Sequence, residues 1–321
     1  MNQLDDEDDF FMSKIWVPMR RPTAVTRYLD VFSKNYRELD NFNCALVLGP
    51  SRSGKTRMVK RWAAAQMGLE EYPDNPQSLL RFVYCEVTPA CNEKTFSADL
   101  LRAFLDPDPT YGSTHYDRIQ RIPKLIQAKI KDPRDRPVHF LIIDEVHCLI
   151  NADTQRLKRA IGQIMTYLLN LKMFGLVLVG EPRAVQIFEP FLKDQDSANP
   201  QLEGRSWGCL PITPHQWADK EDQKEFRAFL HEIDKKLEMS QLSDLGSMEI
   251  AMRIHNFSGG LLGRAARLIK VARAFAVADK RPCISTKQFE EAVDLLRIGS
   301  AKTKLVNPFR VESPKSGDAG K

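Results

Sequence analysis

The sequence predicts an α/β fold, a three-layer sandwich around a five-stranded parallel sheet, followed by a small all-helical domain. Three observations predict it. From about residue 42, short and continuously apolar runs alternate with longer amphipathic ones, the pattern of parallel strands buried on both faces and joined by helices. A glycine-rich octamer, Gly49–Thr56, sits where the first apolar run gives way to a helical pattern. Beyond Pro214 the strand-like runs stop and only helical periodicity continues.

Taken in chain order, residues 1–41 hold an acidic leader (Asp5, Asp6, Glu7, Asp8, Asp9), the stretch Trp16-Val17-Pro18-Met19-Arg20-Arg21-Pro22, and a helical pattern through Val25, Leu29 and Phe32. Residues 42–213 form the α/β core. Its strands are expected at Phe42–Leu48, Arg81–Val87, Val138–Ile143, Leu176–Val179 and Trp207–Ile212. Helical patterns fill the gaps, near 55–67, 95–105, 116–131, 154–172 and 182–188,. Residues 214–297 form the helical domain, with helices at 217–237, 246–257, 260–278 and 286–295. In the third of these Arg264, Arg267, Lys270 and Arg273 alternate with Leu261, Ala265, Leu268, Ile269 and Ala272, a 3.6-residue period,. The tail, 298–321, with Ser313, Pro314, Ser316 and Gly317, is expected to be flexible,.

Composition narrows the class. A chain of 321 residues, 43% of them hydrophobic, has material for one large core and a smaller one,. No apolar run approaches the ~20 residues of a membrane span, so no membrane role is expected. The acidic N-terminus lacks the basic-then-apolar order of a signal peptide, and a cytoplasmic location is expected,. The six cysteines include no C-x-x-C pair, which argues against a disulfide framework or a zinc site,. Cys44, Cys85, Cys148 and Cys209 lie in or beside apolar runs and are expected to be small buried hydrophobes,. Net charge is +5; removing the five acids of the leader (−5) leaves +10, which suits a polyanionic partner,.

Four groups carry chemistry. The octamer Gly49-Pro50-Ser51-Arg52-Ser53-Gly54-Lys55-Thr56 fits G-x-x-x-x-G-K-[ST] completely, between a strand and a helix,. In that context its glycines let backbone N–H groups wrap phosphates at a helix N-terminus. Lys55 is expected on the β- and γ-phosphates of ATP and the Thr56 hydroxyl on Mg²⁺; a chance glycine turn is the bland alternative. The run Val138–Ile143 ends in Asp144-Glu145, so Asp144 is expected to hold Mg²⁺ through water and Glu145 to orient or deprotonate the attacking water. Read blandly, these are solvated acids at a strand end. Arg205, just before the fifth strand, is a candidate to reach a neighbouring subunit's γ-phosphate, with Arg183 as second candidate and a surface arginine as the plain reading,. Arg264 follows the turn Ser258-Gly259-Gly260-Leu261-Leu262-Gly263 and is a candidate to reach back to the nucleotide. Its alternative is a solvated basic face shared with Arg267 and Arg273.

An α/β P-loop core followed by a helical lid is the AAA+ plan, and with the four groups in this order the chain resembles the TniB/TnsC family of AAA+ regulators of DNA transposition over about residues 15–300. The run Ile143-Asp144-Glu145-Val146-His147 is close to that family's second motif, and Leu176–Gly180 followed by Pro182 and Ala184 is similar to its sensor region. Asn199–Arg205 resembles its D-P-Q-L-x-x-R-F box, and Leu210-Pro211 with Trp217 its Leu-Pro…Trp segment. Two positions depart: Glu181 stands where a small polar residue, usually Thr, is expected, and the box ends Arg205-Ser206-Trp207 rather than Arg-Phe. The resemblance implies an ATPase that assembles with ATP on double-stranded DNA as a homo-oligomeric ring or helical filament. It implies recruitment by a TniQ-like target-selection protein and delivery of the site to a transposase. It also points to Lys94, and to Arg118 and Arg121 with Lys124, as DNA-backbone contacts; solvated surface is the other reading of each. A helicase loader or an origin-binding ATPase is the nearest alternative, though no separate helix-turn-helix or winged-helix domain fits after the helical domain. A STAND-type signalling NTPase is more distant, since its long sensor repeats are missing.

Overall fold

The structure, a computed structural model, describes residues 16–36, 43–73, 81–89, 91–128, 138–150, 155–187, 206–296 and 306–310. The described residues divide into two compact units. One spans Arg21–Ser51 and Lys55–Ile212; the other takes the chain up to Arg20, Arg52–Gly54 and everything from Thr213 onward.

The first unit is built on five parallel strands: β1 (Cys44–Leu48), β2 (Phe82–Glu86), β3 (Phe140–Asp144), β4 (Gly175–Gly180) and β5 (Ser206–Pro211). Their order across the sheet is β2-β3-β4-β1-β5. Every residue of β1, β3 and β4 is buried, which is why these segments read as unbroken apolar runs. Among the described residues six helices belong here: α1 (Arg20–Asn35, less its first residue), α2 (Lys55–Gln66), α3 (Glu93–Ala103), α4 (His115–Ile119), α5 (Ile122–Gln127) and α6 (Gln155–Asn170). Alternate strand side chains face opposite layers. Leu46, Cys85, Leu141, Ile143 and Leu178 join Leu100, Leu101, Ile122, Ile164 and Leu168 from α3, α5 and α6 in one core, where each buried Leu, Ile or Phe is worth about 1.5–3 kcal/mol. On the opposite face an aromatic cluster links α1 and α2 to the sheet. Trp62 meets Phe82 and Phe140 edge-on, each at 5.3 Å, and Phe32 lies 5.8 Å from Phe140. A Cβ at position 175 would come within 2.5 Å of the Phe140 ring, so Gly175 lets this cluster close.

Three expectations change. The single helix expected at 116–131 is two short ones, α4 and α5, because Pro123 has no N–H for an i→i−4 bond and instead opens a new helix in its first turn,. The pattern at 182–188 is a 3₁₀ turn, Pro182–Ile187. Cys209, expected as a buried hydrophobe, is exposed, whereas Cys44, Cys85 and Cys148 are buried as expected. The reason is position: β5 is an edge strand with a register shift against β1. At that shift the Leu46 N–H donates to Tyr28 Oη (3.2 Å), and the Tyr28 hydroxyl donates to the Gly208 carbonyl (2.6 Å).

The second unit is helical: α7 (Lys220–Lys235), α8 (Met248–Ser258), α9 (Leu262–Ala278) and α10 (Thr286–Leu296). Phe226, Leu230, Ile254, Leu268, Ile269, Phe289 and Val293 form its own core. Val17 and Met19 from the N-terminal stretch and Phe309 from the tail join it, Phe309 stacking on Phe289 at 4.8 Å. Within this unit the Gly263 N–H donates to the Arg52 carbonyl at 3.0 Å. No helix among the described residues is long and apolar enough to cross a membrane.

Candidate active site

The octamer lies between β1 and the first turn of α2. Arg52 and Gly54 take left-handed backbone, with φ of 63° and 88°, which curls the loop back on itself. Lys55 is 7% exposed and its ammonium donates to the Pro50 carbonyl at 2.8 Å. Burial lowers the Lys55 pKa, and Glu145, Asp144 and Glu181 oppose that shift. Three carboxylates and a backbone carbonyl thus offset the cost of burying this positive charge,. Ser53 Oγ is buried with no hydrogen-bond partner among the described residues.

Asp144, at the carboxyl end of β3, is 1% exposed and is held from three sides. Its Oδ2 accepts from the Thr56 hydroxyl (2.5 Å) and from the Tyr84 hydroxyl (2.8 Å), and its Oδ1 from the Glu145 N–H (2.7 Å). A carboxylate and a threonine hydroxyl side by side, both oxygen donors, suit a hard divalent cation such as Mg²⁺. Glu145 has φ of 55°, a left-handed conformation that costs a glutamate energy and turns its side chain off the strand line,. Burial, then the neighbouring Asp144, pushes the Glu145 carboxyl above its ordinary range. His147 stands 3.2 Å (Nδ1) from Glu145 Oε2 and 3.8 Å (Nε2) from Glu181 Oε1. Glu181 in turn pairs with Arg183 at 3.1 Å.

Of the residues expected from sequence, Lys55, Thr56, Asp144 and Glu145 are brought together. Arg183 pairs with Glu181, which stands beside His147. Arg264 lies exposed on the first turn of α9, in the helical unit. Arg205 falls outside the described residues. Lys94 is exposed beside the N-cap of α3, where Asn92 and Thr95 form a reciprocal capping box. Arg118 and Arg121 are arranged as internal braces. Arg118 donates to the carbonyls of Lys94 and Thr110 (2.7 Å each). Arg121 donates to the carbonyls of Asp108 (2.9 Å) and Tyr111 (3.1 Å) and to the buried carboxylate of Asp106. Tyr84 was not foreseen. Its hydroxyl is the one polar group of the segment Phe82–Cys85, and only the β2–β3 pairing, Tyr84 opposite Ile142, brings it to Asp144.

A family model described as bacterial TniB protein matches residues 9–198. No curated protein matches the chain in sequence. Among solved structures, Cdc6p from Pyrobaculum aerophilum is similar at 16% identity, over 91% of this chain and 72% of that one, with a TM-score of 0.60. The Aeropyrum pernix ORC1 protein in complex with DNA is similar at 17% identity, over 87% and 66%, with a TM-score of 0.60. The ORC2 protein of the same organism, solved as ADPNP–ADP complexes, gives 17%, 89%, 70% and 0.58. At such identities the likeness shows the fold, which is the AAA+ α/β sandwich with a helical unit after it.

Proposed function

Since the chain belongs to the TniB family, we propose that it is a Mg²⁺-dependent ATPase that assembles on double-stranded DNA and links target-site selection to a transposase. The observation that carries the ATPase part is the Asp144 carboxylate, gripped by Thr56 and Tyr84 beside the buried ammonium of Lys55. When bound, Mg²⁺ would neutralise phosphate charge and the triphosphate would supply the bond to be cleaved. The residues of this chain do the rest. Lys55 gives charge compensation to phosphate oxygens, and Thr56 and Asp144 hold the cation. Glu145, with its raised pKa and constrained backbone, takes a proton from water,. Arg205 would complete the site of a neighbouring subunit and Arg264 would contact nucleotide from the helical unit.

The DNA part rests on family membership and on the +10 charge outside the leader. Each protomer would add a few cationic contacts, so a single copy binds weakly and an array binds tightly through multivalency. Fluorescence anisotropy on random-sequence duplexes tests this. Binding should require ATP or a non-hydrolysable analogue with Mg²⁺, should not depend on sequence, and should weaken steeply with salt as counterions are released. Nucleotide-independent binding, or none at any salt, overturns the reading. A TniQ-like selector and a transposase are the proposed protein partners, tested by pull-down in the presence and absence of DNA and nucleotide.

A further inference from the structure

The helical unit carries a groove of about 390 Å³ that the proposed ATPase site does not use. One wall is a face of α7 bearing Lys224, Arg227 and His231; the other is the turn Asp244–Ser247 that leads into α8. The walls are tied at the floor, where Arg227 Nε donates to the Gly246 carbonyl at 2.8 Å. A Cβ at position 246 would come 3.0 Å from His231 Cβ and 3.1 Å from the Arg227 carbonyl, so glycine permits this close approach. Lys224 and Arg227 outweigh Asp244. Two large exposed apolar side chains, Leu242 (52%) and Met248 (49%), flank that turn in the sequence. The lining is therefore basic, and apolar side chains flank one wall in the sequence.

The N-terminal stretch enters this same unit. Val17 and Met19 are buried in its core, and Arg20 bonds Asp222 and Glu225 near the start of α7. Upstream of it runs Asp5-Asp6-Glu7-Asp8-Asp9-Phe10-Phe11-Met12, five acids followed by three large apolar residues, outside the described residues. From Val17 the chain back to Asp9 can span up to about 26 Å when extended. Glu225 and His231 are separated by only about 9 Å along the helix. We propose that the segment Asp5–Met12 of the same chain docks in this groove, carboxylates on the basic wall and Phe10 and Phe11 on Leu242 and Met248. Exposed ion pairs are individually weak, but a tether of this length holds the segment at an effective concentration on the order of millimolar. Nucleic-acid phosphate would match the basic wall too, but the acidic segment is tethered to this unit through Val17, Met19 and Arg20 and carries apolar residues for the flanking Leu242 and Met248.

The test uses the full chain with a photoreactive benzoylphenylalanine in place of Phe10, irradiated and mapped by mass spectrometry. Cross-links should fall within 220–235 or 240–248. A mixture of isotopically heavy and light protein should give only unmixed products. Yield should drop roughly fivefold or more with Lys224→Glu, as expected when several weak ion pairs are lost together. It should drop similarly when Asp5, Asp6, Asp8 and Asp9 become Asn and Glu7 becomes Gln, changes that leave the helical core untouched. High salt should lower it as well. Cross-links elsewhere, mixed heavy–light products, or a yield insensitive to both charge changes would overturn the proposal. So would a loss of duplex affinity in Lys224→Glu that is the same with and without the leader changes, since the groove would then be a nucleic-acid surface.

Discussion

At the scale of single residues, the chemistry gathers on Asp144. Three donors converge on one carboxylate, so each substitution around it has a distinct signature. Lys55→Ala removes the buried positive charge and should abolish ATP binding, as read by fluorescent-nucleotide titration. Glu145→Gln keeps size and hydrogen bonding and should bind ATP normally, while turnover falls about 10²–10⁴-fold, the usual worth of a positioned base. Near-normal turnover in Glu145→Gln would remove the base role. Tyr84→Phe takes one hydrogen bond from Asp144 Oδ2 without disturbing the aromatic packing of β2. Loss of such a supporting bond should raise the Mg²⁺ concentration needed for half-maximal turnover by about tenfold. If the Mg²⁺ requirement does not move, Tyr84 supports the strand rather than the metal.

At the scale of elements, the segment between α3 and α5 behaves as a braced loop. Arg121 pairs with Asp106, whose side chain is fully buried. Arg121→Ala leaves that carboxylate without its cation, though the Asp108 N–H still donates to it (2.8 Å), and breaking a buried pair from one side costs about 3 kcal/mol or more. Urea unfolding should show that loss, and the salt slope of DNA binding should stay as in the parent chain. A shallower slope at unchanged stability would instead make Arg121 a DNA contact. Lys94, exposed at the same end, is the residue whose neutralisation should make the slope shallower by about one. In the helical unit, His255 Nε2 hydrogen-bonds the His215 carbonyl at 2.8 Å. Burial lowers the His255 pKa, against the raising effects of that carbonyl and Asp222. Below the unfolded imidazole value of about 6.5 the unfolded chain binds a proton that the folded chain resists. The stability contribution is therefore complete above that pH and is lost as pH falls through it. Urea midpoints taken at pH 7 and pH 5.5 should fall further for the parent chain than for His255→Gln, which keeps a donor and cannot titrate.

At the scale of the whole molecule, the proposed oligomer makes its own demand. A finger arginine acts across an interface and contacts the transition state more than the ground state. Arg205→Ala should leave ATP binding by isolated subunits largely intact while lowering hydrolysis and oligomerisation on DNA, measured by turnover and by light scattering on the same sample. Normal hydrolysis in the assembled state would pass the role to Arg183 or another arginine.

How much of this was legible beforehand depends on the range over which each feature is encoded. The sheet, its parallel sense and the helical second unit follow from local periodicity, because strands buried on both faces must be apolar throughout. The positions of Lys55, Thr56, Asp144 and Glu145 also follow from sequence, since a phosphate loop needs glycine, lysine and hydroxyl at fixed spacing and a strand end fixes the acids. Tertiary structure alone decided the rest. Tyr84 reaches Asp144 through pairing between strands more than fifty positions apart, which no local pattern reports. Cys209 is exposed because β5 falls at the sheet's edge, and strand order is a property of topology rather than hydropathy. In the sequence Arg118 and Arg121 read as DNA-backbone contacts or solvated surface. They became loop braces because Pro123 breaks the helix and the chain folds back, placing carbonyls and the buried Asp106 carboxylate where their donors end.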